Sequence, residues 1–280
     1  TIGATADVAT AANPLDVDIA GATNTSAVTG SVHIVDVKAA TTVSEAIRET
    51  TRLRCDLGLC LDVDADRALF ITHEGEPVSE DTAGAIFARE ELRRGDLCVV
   101  PINSSGLIER VCEEVGAQLE YCEVGQPATL AAVKRLKATY SYEESGKYYF
   151  ARQNLWADGL FSGIKMLEIM ARRGKRLAEL VAPLPRFHQV KKTIHVDDAR
   201  KEPLLRASIQ RLDRQLLEGR TRALTIDGFT RCYQDHAWLL VRPSGTEPLV
   251  RVYSDAPTRE RAEQLASDGA RIVEEALRAL

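Results

Sequence analysis

Aromatic residues make up only 5% of the chain, and there are two methionines and six cysteines. The cysteines (Cys55, Cys60, Cys98, Cys112, Cys122, Cys232) fall at irregular spacings with no C-x-x-C pair. That pattern speaks against a disulfide framework and for reduced core residues of a cytosolic protein. No apolar run approaches the length needed to cross a bilayer, so a soluble, cytoplasmic chain with no membrane partner is expected. A basic block is also missing: 36 basic against 41 acidic residues give a net charge of -5. Nucleic acid is therefore not an expected partner. The sequence opens at Thr1 with no methionine and no signal-like segment, which reads as a cut or processed end.

What is present is a chain of 280 residues, 45% apolar, enough for two or three packed units. A small anionic ligand stays open, because a local nest of amides and one or two arginines binds one whatever the global charge. From Thr42 onward, β-branched apolar stretches alternate with amphipathic ones, which predicts an α/β fold of βα units with a largely parallel sheet. Strands are expected at Leu57 to Leu61, Ala68 to Thr72, Leu97 to Pro101 and Gln118 to Cys122. Helices are expected at Asp81 to Arg93, Gly106 to Val115, Pro127 to Lys137 and Asp158 to Arg173, the last closed by Gly174. Pro183-Leu184-Pro185 reads as a linker. Beyond it, four short strands between Thr193 and Val241, with helices at Glu202 to Glu218 and Thr258 to Ala279, predict a small α+β unit. Boundaries fall near residues 80 and 186. Residues 1 to 40, rich in Ala, Thr and Val, show no clear periodicity.

Three polar loops carry chemistry. Asp62-Val63-Asp64-Ala65-Asp66-Arg67 sets three carboxylates at alternating positions after a buried strand, a set of hard oxygens suited to Mg²⁺. An EF-hand is excluded, since Arg67 and His73 stand where its glycine and glutamate belong. Two other readings stand beside the metal loop. One is a solvated turn; the other is the nucleophile loop of a dehalogenase-like phosphatase, against which the third aspartate argues. Near the C-terminus, Arg242-Pro243-Ser244-Gly245-Thr246-Glu247-Pro248 gathers amides, two hydroxyls and a guanidinium, the groups that bind a tetrahedral dianion. Arg251 lies close enough in sequence to join them. Between these loops, Glu143 and Ser145 set a carboxylate and a hydroxyl two residues apart, a pair that can orient sugar hydroxyls. Lys147 could add a phosphate contact.

The aspartate loop, the Y-E-E-S-G-K loop and the R-P-S-G-T-E-P turn, in that order and at these separations, resemble phosphohexomutases of the phosphoglucomutase/phosphomannomutase superfamily. The resemblance implies the second to fourth domains of that family. They would be a shortened domain over residues 1 to 80 with the metal loop, one over 81 to 186 with the sugar loop, and a phosphate-binding domain over 187 to 280. Two βα-repeat, mixed-sheet domains would thus precede a smaller α+β domain. It implies an isomerase that interconverts hexose 1-phosphate and hexose 6-phosphate through a phosphoserine and a bisphosphate. Asp62, Asp64 and Asp66 would hold Mg²⁺ and Arg67 would contact phosphoryl or sugar. Glu143, Ser145 and Lys147 would meet substrate, and Arg242, Ser244, Gly245, Thr246 and Arg251 would anchor phosphate. Two departures stand out. Val63 replaces a common glycine, and no serine is followed by His-Asn-Pro, the setting of the family's reactive serine. The serine domain is therefore expected to be a missing N-terminal partner, and this chain alone to be inactive. Phosphoglucosamine mutase and a non-catalytic phosphosugar-binding remnant are the alternatives.

Overall fold

The computed structural model describes residues 15–16, 33–34, 42–215, 219–245 and 247–280. Ala6 to Pro14, where the resemblance would place a first strand, lies outside them, as does Thr246. Packing divides the chain into two units, residues 1–79 with 158–183, and residues 80–157 with 184–280.

The first unit begins with a short antiparallel pair, β1 (Leu15–Asp16) and β2 (His33–Ile34). Helix α1 (Val43–Arg52) follows, capped by the Thr42 hydroxyl, which accepts from the Glu45 amide. Strands β3 (Leu57–Leu61), β4 (Ala68–Thr72) and β5 (Pro77–Val78) form an antiparallel meander. The turn into β5 closes at Gly75, whose φ of 84° suits glycine. Side chains alternate along β3, so its two faces are covered separately. A Cβ on Gly58 would stand 2.3 Å from Thr50 Oγ1, which places α1 hard against that face. Leu59 and Leu61 point the other way, to a helix contributed much later in the chain.

The second unit opens with α2 (Glu80–Glu91), β6 (Leu97–Pro101), α3 (Leu107–Val115), β7 (Gln118–Cys122) and α4 (Gln126–Leu136). Hairpin β8 (Tyr140–Glu143) and β9 (Lys147–Phe150) completes a sheet of order β7-β6-β8-β9. The scarce aromatics concentrate here: four of the seven tyrosines, with Phe150, fill this hairpin and are buried. The Tyr142 ring lies flat on α2, where a Cβ on Gly84 would meet it at 2.7 Å. Among the described residues, parallel pairing is confined to β6 with β7 and with β8, in one mixed sheet, and the other sheets are antiparallel; the largely parallel sheet expected from alternation is corrected, while the mixed α/β class stands. The reason is loop length: links of three to six residues, such as Glu144 to Gly146, permit only antiparallel neighbours.

Helix α5 (Gly159–Arg173), capped by Asp158 and closed by left-handed Gly174, then returns to the first unit with α6 (Leu177–Val181). Gly159 and Gly163 lie one turn apart on the face that meets Leu61 and Leu59.

The C-terminal segment is β10 (His188–His195), α7 (Asp198–Gln215), β11 (Arg220–Leu224), β12 (Phe229–Tyr233), β13 (Trp238–Pro243), β14 (Leu249–Ala256) and α8 (Arg259–Arg278). Its five strands are all antiparallel, in the order β10-β14-β13-β12-β11. Alternation gives each face one job. Leu239, Val241, Val250 and Val252 pack under α7 and α8. Trp238, Leu240 and Tyr253, on the opposite face, meet Ile102, Tyr121 and Val124 of the middle segment. No helix of the described residues is long and apolar enough to cross a membrane. All six cysteines are free, four of them buried, as their spacing suggested.

Two buried carboxylates lie where the middle and C-terminal segments meet. Asp255 on β14 accepts from the Ser105 hydroxyl (3.0 Å) and the Gly106 amide (2.9 Å) at the start of α3. Asp81 on α2 accepts from the Ser105 amide (2.9 Å) and the Tyr142 hydroxyl (2.7 Å). Burial pushes Asp255 up to about 8 and Asp81 up to about 6, with the charge of Asp81 adding to the rise of Asp255. The unfolded chain ionises both near the ordinary 3.8. The folded state therefore holds more protons between about pH 4 and pH 8, and stability falls as pH rises through that window. Urea unfolding should show wild type losing stability from pH 5 to pH 8, and Asp255→Asn losing distinctly less. An equal loss in both would rule out Asp255 as the titrating group.

Candidate functional site

The aspartate loop bridges two antiparallel strands, Leu61 pairing with Ala68, so it is a hairpin end held by its own strands. Asp62, Asp64 and Asp66 each offer an oxygen, and these oxygens lie within 4.8 Å of one another. The turn is held by the Ala65 amide donating to Asp62 O (3.1 Å) and the Arg67 amide donating to Asp62 Oδ1 (3.2 Å). The left-handed residue is Ala65, with φ of 56°, whereas Val63 is outside that region. The branched side chain therefore costs the loop no backbone strain; it stands 92% exposed. Arg67 leans back over the carboxylates, its Nε 3.3 Å from Asp62 and 3.8 Å from Asp66. With three carboxylates converging and one arginine beside them, the set suits a hard divalent cation.

The start of α5 supports this loop from beneath. The Gly159 amide donates to Ala65 O (2.8 Å), and a Cβ on Gly159 would come within 2.6 Å of Arg67 O. Sequence reading identified Asp158 as a helix start without relating it to the loop, because the two are nearly a hundred residues apart.

The sugar-loop residues form the β8–β9 turn, in which Glu143 pairs with Lys147. Gly146, with φ of 86°, donates to Glu143 O (3.0 Å) and closes it. Glu143 is buried and accepts from the Tyr149 hydroxyl. Lys147 is buried too, and its Nζ donates to Gln126 Oε1 (2.7 Å). Ser145 Oγ is shielded and has no hydrogen-bond partner among the described residues. Glu144 reaches the C-terminal segment, 3.0 Å from Lys191 Nζ.

In the phosphate turn, Arg242 and Arg251 are direct partners across β13 and β14. Residues opposite each other share a face, and by alternation from Leu240 and Tyr253 that face is the one turned to the middle segment. Both arginines hold carboxylates: Arg242 Nε donates to Asp227 Oδ2 (2.6 Å), and Arg251 pairs with Glu247. Asp227 also accepts from the Val124 amide (3.1 Å) of the middle segment. Lys191, whose Nζ lies 5.4 Å from the Tyr253 ring centre, completes a path from Glu144 to Tyr253, whose hydroxyl accepts from Arg251 (3.4 Å). The sugar loop and the two arginines thus belong to one connected surface of the second unit. Asp227 was not singled out from the sequence.

A family model described as "Phosphoglucomutase/phosphomannomutase, alpha/beta/alpha domain III" matches residues 79–187. A phosphoglucomutase/phosphomannomutase of Thermococcus kodakarensis is 33% identical over 81% of this chain and 49% of its own length. A probable phosphoglucosamine mutase of Methanococcoides burtonii is 34% identical over 79% and 48%. Among solved structures, a phosphoglucomutase/phosphomannomutase family protein of Burkholderia thailandensis aligns with a TM-score of 0.74 at 24% identity, covering 84% of this chain and 50% of its own. The chain belongs to the phosphohexomutase superfamily. It spans about half the length of the curated relatives it matches.

Replacing Gly159 by alanine forces a methyl into the backbone of the aspartate loop. Urea denaturation should register a loss of about 1–3 kcal/mol, the usual cost of overpacking; unchanged stability would mean that the helix does not bear on the loop as described.

Proposed function

We propose that this chain is the phosphosugar-binding and metal-binding portion of an enzyme interconverting hexose 1-phosphate and hexose 6-phosphate. In this reading, a phosphoserine and a bisphosphate intermediate carry the phosphoryl group, and the serine comes from outside these 280 residues. The observation that carries the reading is the register of β13 and β14, which sets Arg242 opposite Arg251 beside the Ser244–Gly245 turn. Two guanidiniums and the Gly245 amide, which has no acceptor among the described residues, match a phosphomonoester dianion, and charge-assisted bonds of this kind are about twice as strong as neutral ones. Glu143 and Ser145 would accept from and donate to sugar hydroxyls, and Lys147, which donates to Gln126, would contact phosphate. Asp62, Asp64 and Asp66 would hold Mg²⁺, which when bound offsets charge on the transferring oxygens. Arg67, more than half exposed, is free to swing from Asp62 to a phosphoryl oxygen. Relatives named for glucose, mannose, glucosamine and pentose phosphates support the sugar-phosphate mutase class. The dehalogenase-like alternative loses its ground, since the relatives are mutases and it gives the C-terminal turn no role.

Calorimetric titration with glucose 6-phosphate and mannose 1-phosphate should detect binding to this chain. Arg242→Ala should weaken it about 10-fold or more, the worth of one charge-assisted bond; equal affinity would refute the phosphate assignment. Separately, millimolar Mg²⁺ should raise the melting temperature of wild type and leave Asp64→Asn unmoved. The same rise in both would remove the aspartate loop as the metal site.

A further inference from the structure

The phosphate turn is gripped from behind by a lysine that no motif contains. Lys201, in the second turn of α7, donates from Nζ to Ser244 O (2.7 Å) and Glu247 O (2.6 Å), and lies 2.5 Å from Asp198 Oδ1. Its side chain is only 13% exposed. Two carbonyls of the turn accept from its ammonium and the Asp198 carboxylate lies beside it, so Lys201 acts on a ligand through the turn it holds.

Accounting for the amides of the turn shows what that effect is. The Ser244 amide donates to Leu249 O (2.9 Å), Glu247 to Ser244 Oγ (3.2 Å) and Leu249 to Glu247 O (2.8 Å). Pro248 has no N–H. The Gly245 amide has no acceptor among the described residues, and apart from its chain neighbours no described atom stands within 4 Å of where its Cβ would be. In a trans peptide the carbonyl and the following N–H point in opposite directions. With Ser244 O drawn to Lys201, the Gly245 N–H is turned away from that lysine. Glu247, the second residue held, is also the partner of Arg251.

We propose that Lys201 is a positioning residue of the phosphate turn: by holding the carbonyls of Ser244 and Glu247 it aims the Gly245 N–H at a phosphomonoester dianion. This rests on the reading of residues 242 to 248 as the phosphate site. Without the ammonium, two carbonyls lose their donor and the Ser244–Gly245 peptide is free to flip, which removes one amide from the anion.

The test compares wild type, Lys201→Met and Arg242→Ala, with glucose 6-phosphate as the probe and ¹H–¹⁵N spectra as the readout. In the unliganded chain, Lys201→Met should shift the Gly245 and Glu247 amide resonances and speed their hydrogen exchange, while the melting temperature stays within a few degrees. Its affinity for glucose 6-phosphate should fall about 10-fold, the loss expected for one hydrogen bond to a charged group. Unchanged Gly245 resonance and unchanged affinity in Lys201→Met, with Arg242→Ala still weakened, would overturn the role of Lys201 and leave the phosphate site standing. Wild type that does not bind, or binds no better than Arg242→Ala, would overturn both. Should Lys201→Met fail to fold, Lys201→Gln, which keeps a shorter amide donor, serves for the same comparison.

Discussion

Two arginines face each other across a pair of antiparallel strands, and like charges so placed repel. The C-terminal segment holds Arg242 and Arg251 there by giving each its own carboxylate, Asp227 and Glu247. Those carboxylates are in turn tied down: Asp227 by the Val124 amide, and Glu247 through its carbonyl by Lys201. The arrangement keeps two cations close at a turn whose Gly245 amide has no acceptor among the described residues. A dianion arriving there would meet charge already gathered, so little reorganisation is needed for binding.

The same economy of backbone appears at the aspartate loop. Its three carboxylates converge because strands β3 and β4 hold both ends, and Ala65 takes the one left-handed conformation the turn requires. Glycines at 159 and 163 let α5 lie close beneath it. In the second unit, the buried carboxylates Asp81 and Asp255 share the Ser105–Gly106 corner, so the middle and C-terminal segments meet through a polar contact as well as through the Trp238–Ile102 apolar one.

Much of this was legible in the sequence. The strands Leu57–Leu61, Ala68–Thr72, Leu97–Pro101 and Gln118–Cys122 stand at their expected bounds, because the first three are short apolar runs and the last alternates polar with apolar residues. The three polar loops were legible because their residue types are rare in such combinations. Strand direction was not: alternation of helix and strand suggested parallel pairing, while short links such as 144 to 146 enforce hairpins. Lys201, Asp227 and Gly159 were also hidden, since each acts on a loop distant in sequence, and nothing in a lone lysine or a D-G pair names its partner.

The central claim is that Arg242 and Arg251 hold one phosphate together. A double-mutant cycle on glucose 6-phosphate affinity tests it directly. The account predicts that Arg242→Ala and Arg251→Ala each weaken binding and that the double variant loses markedly less than the two losses combined, since both act on one group. Strictly additive losses, or an Arg251→Ala variant that binds like wild type, would contradict it.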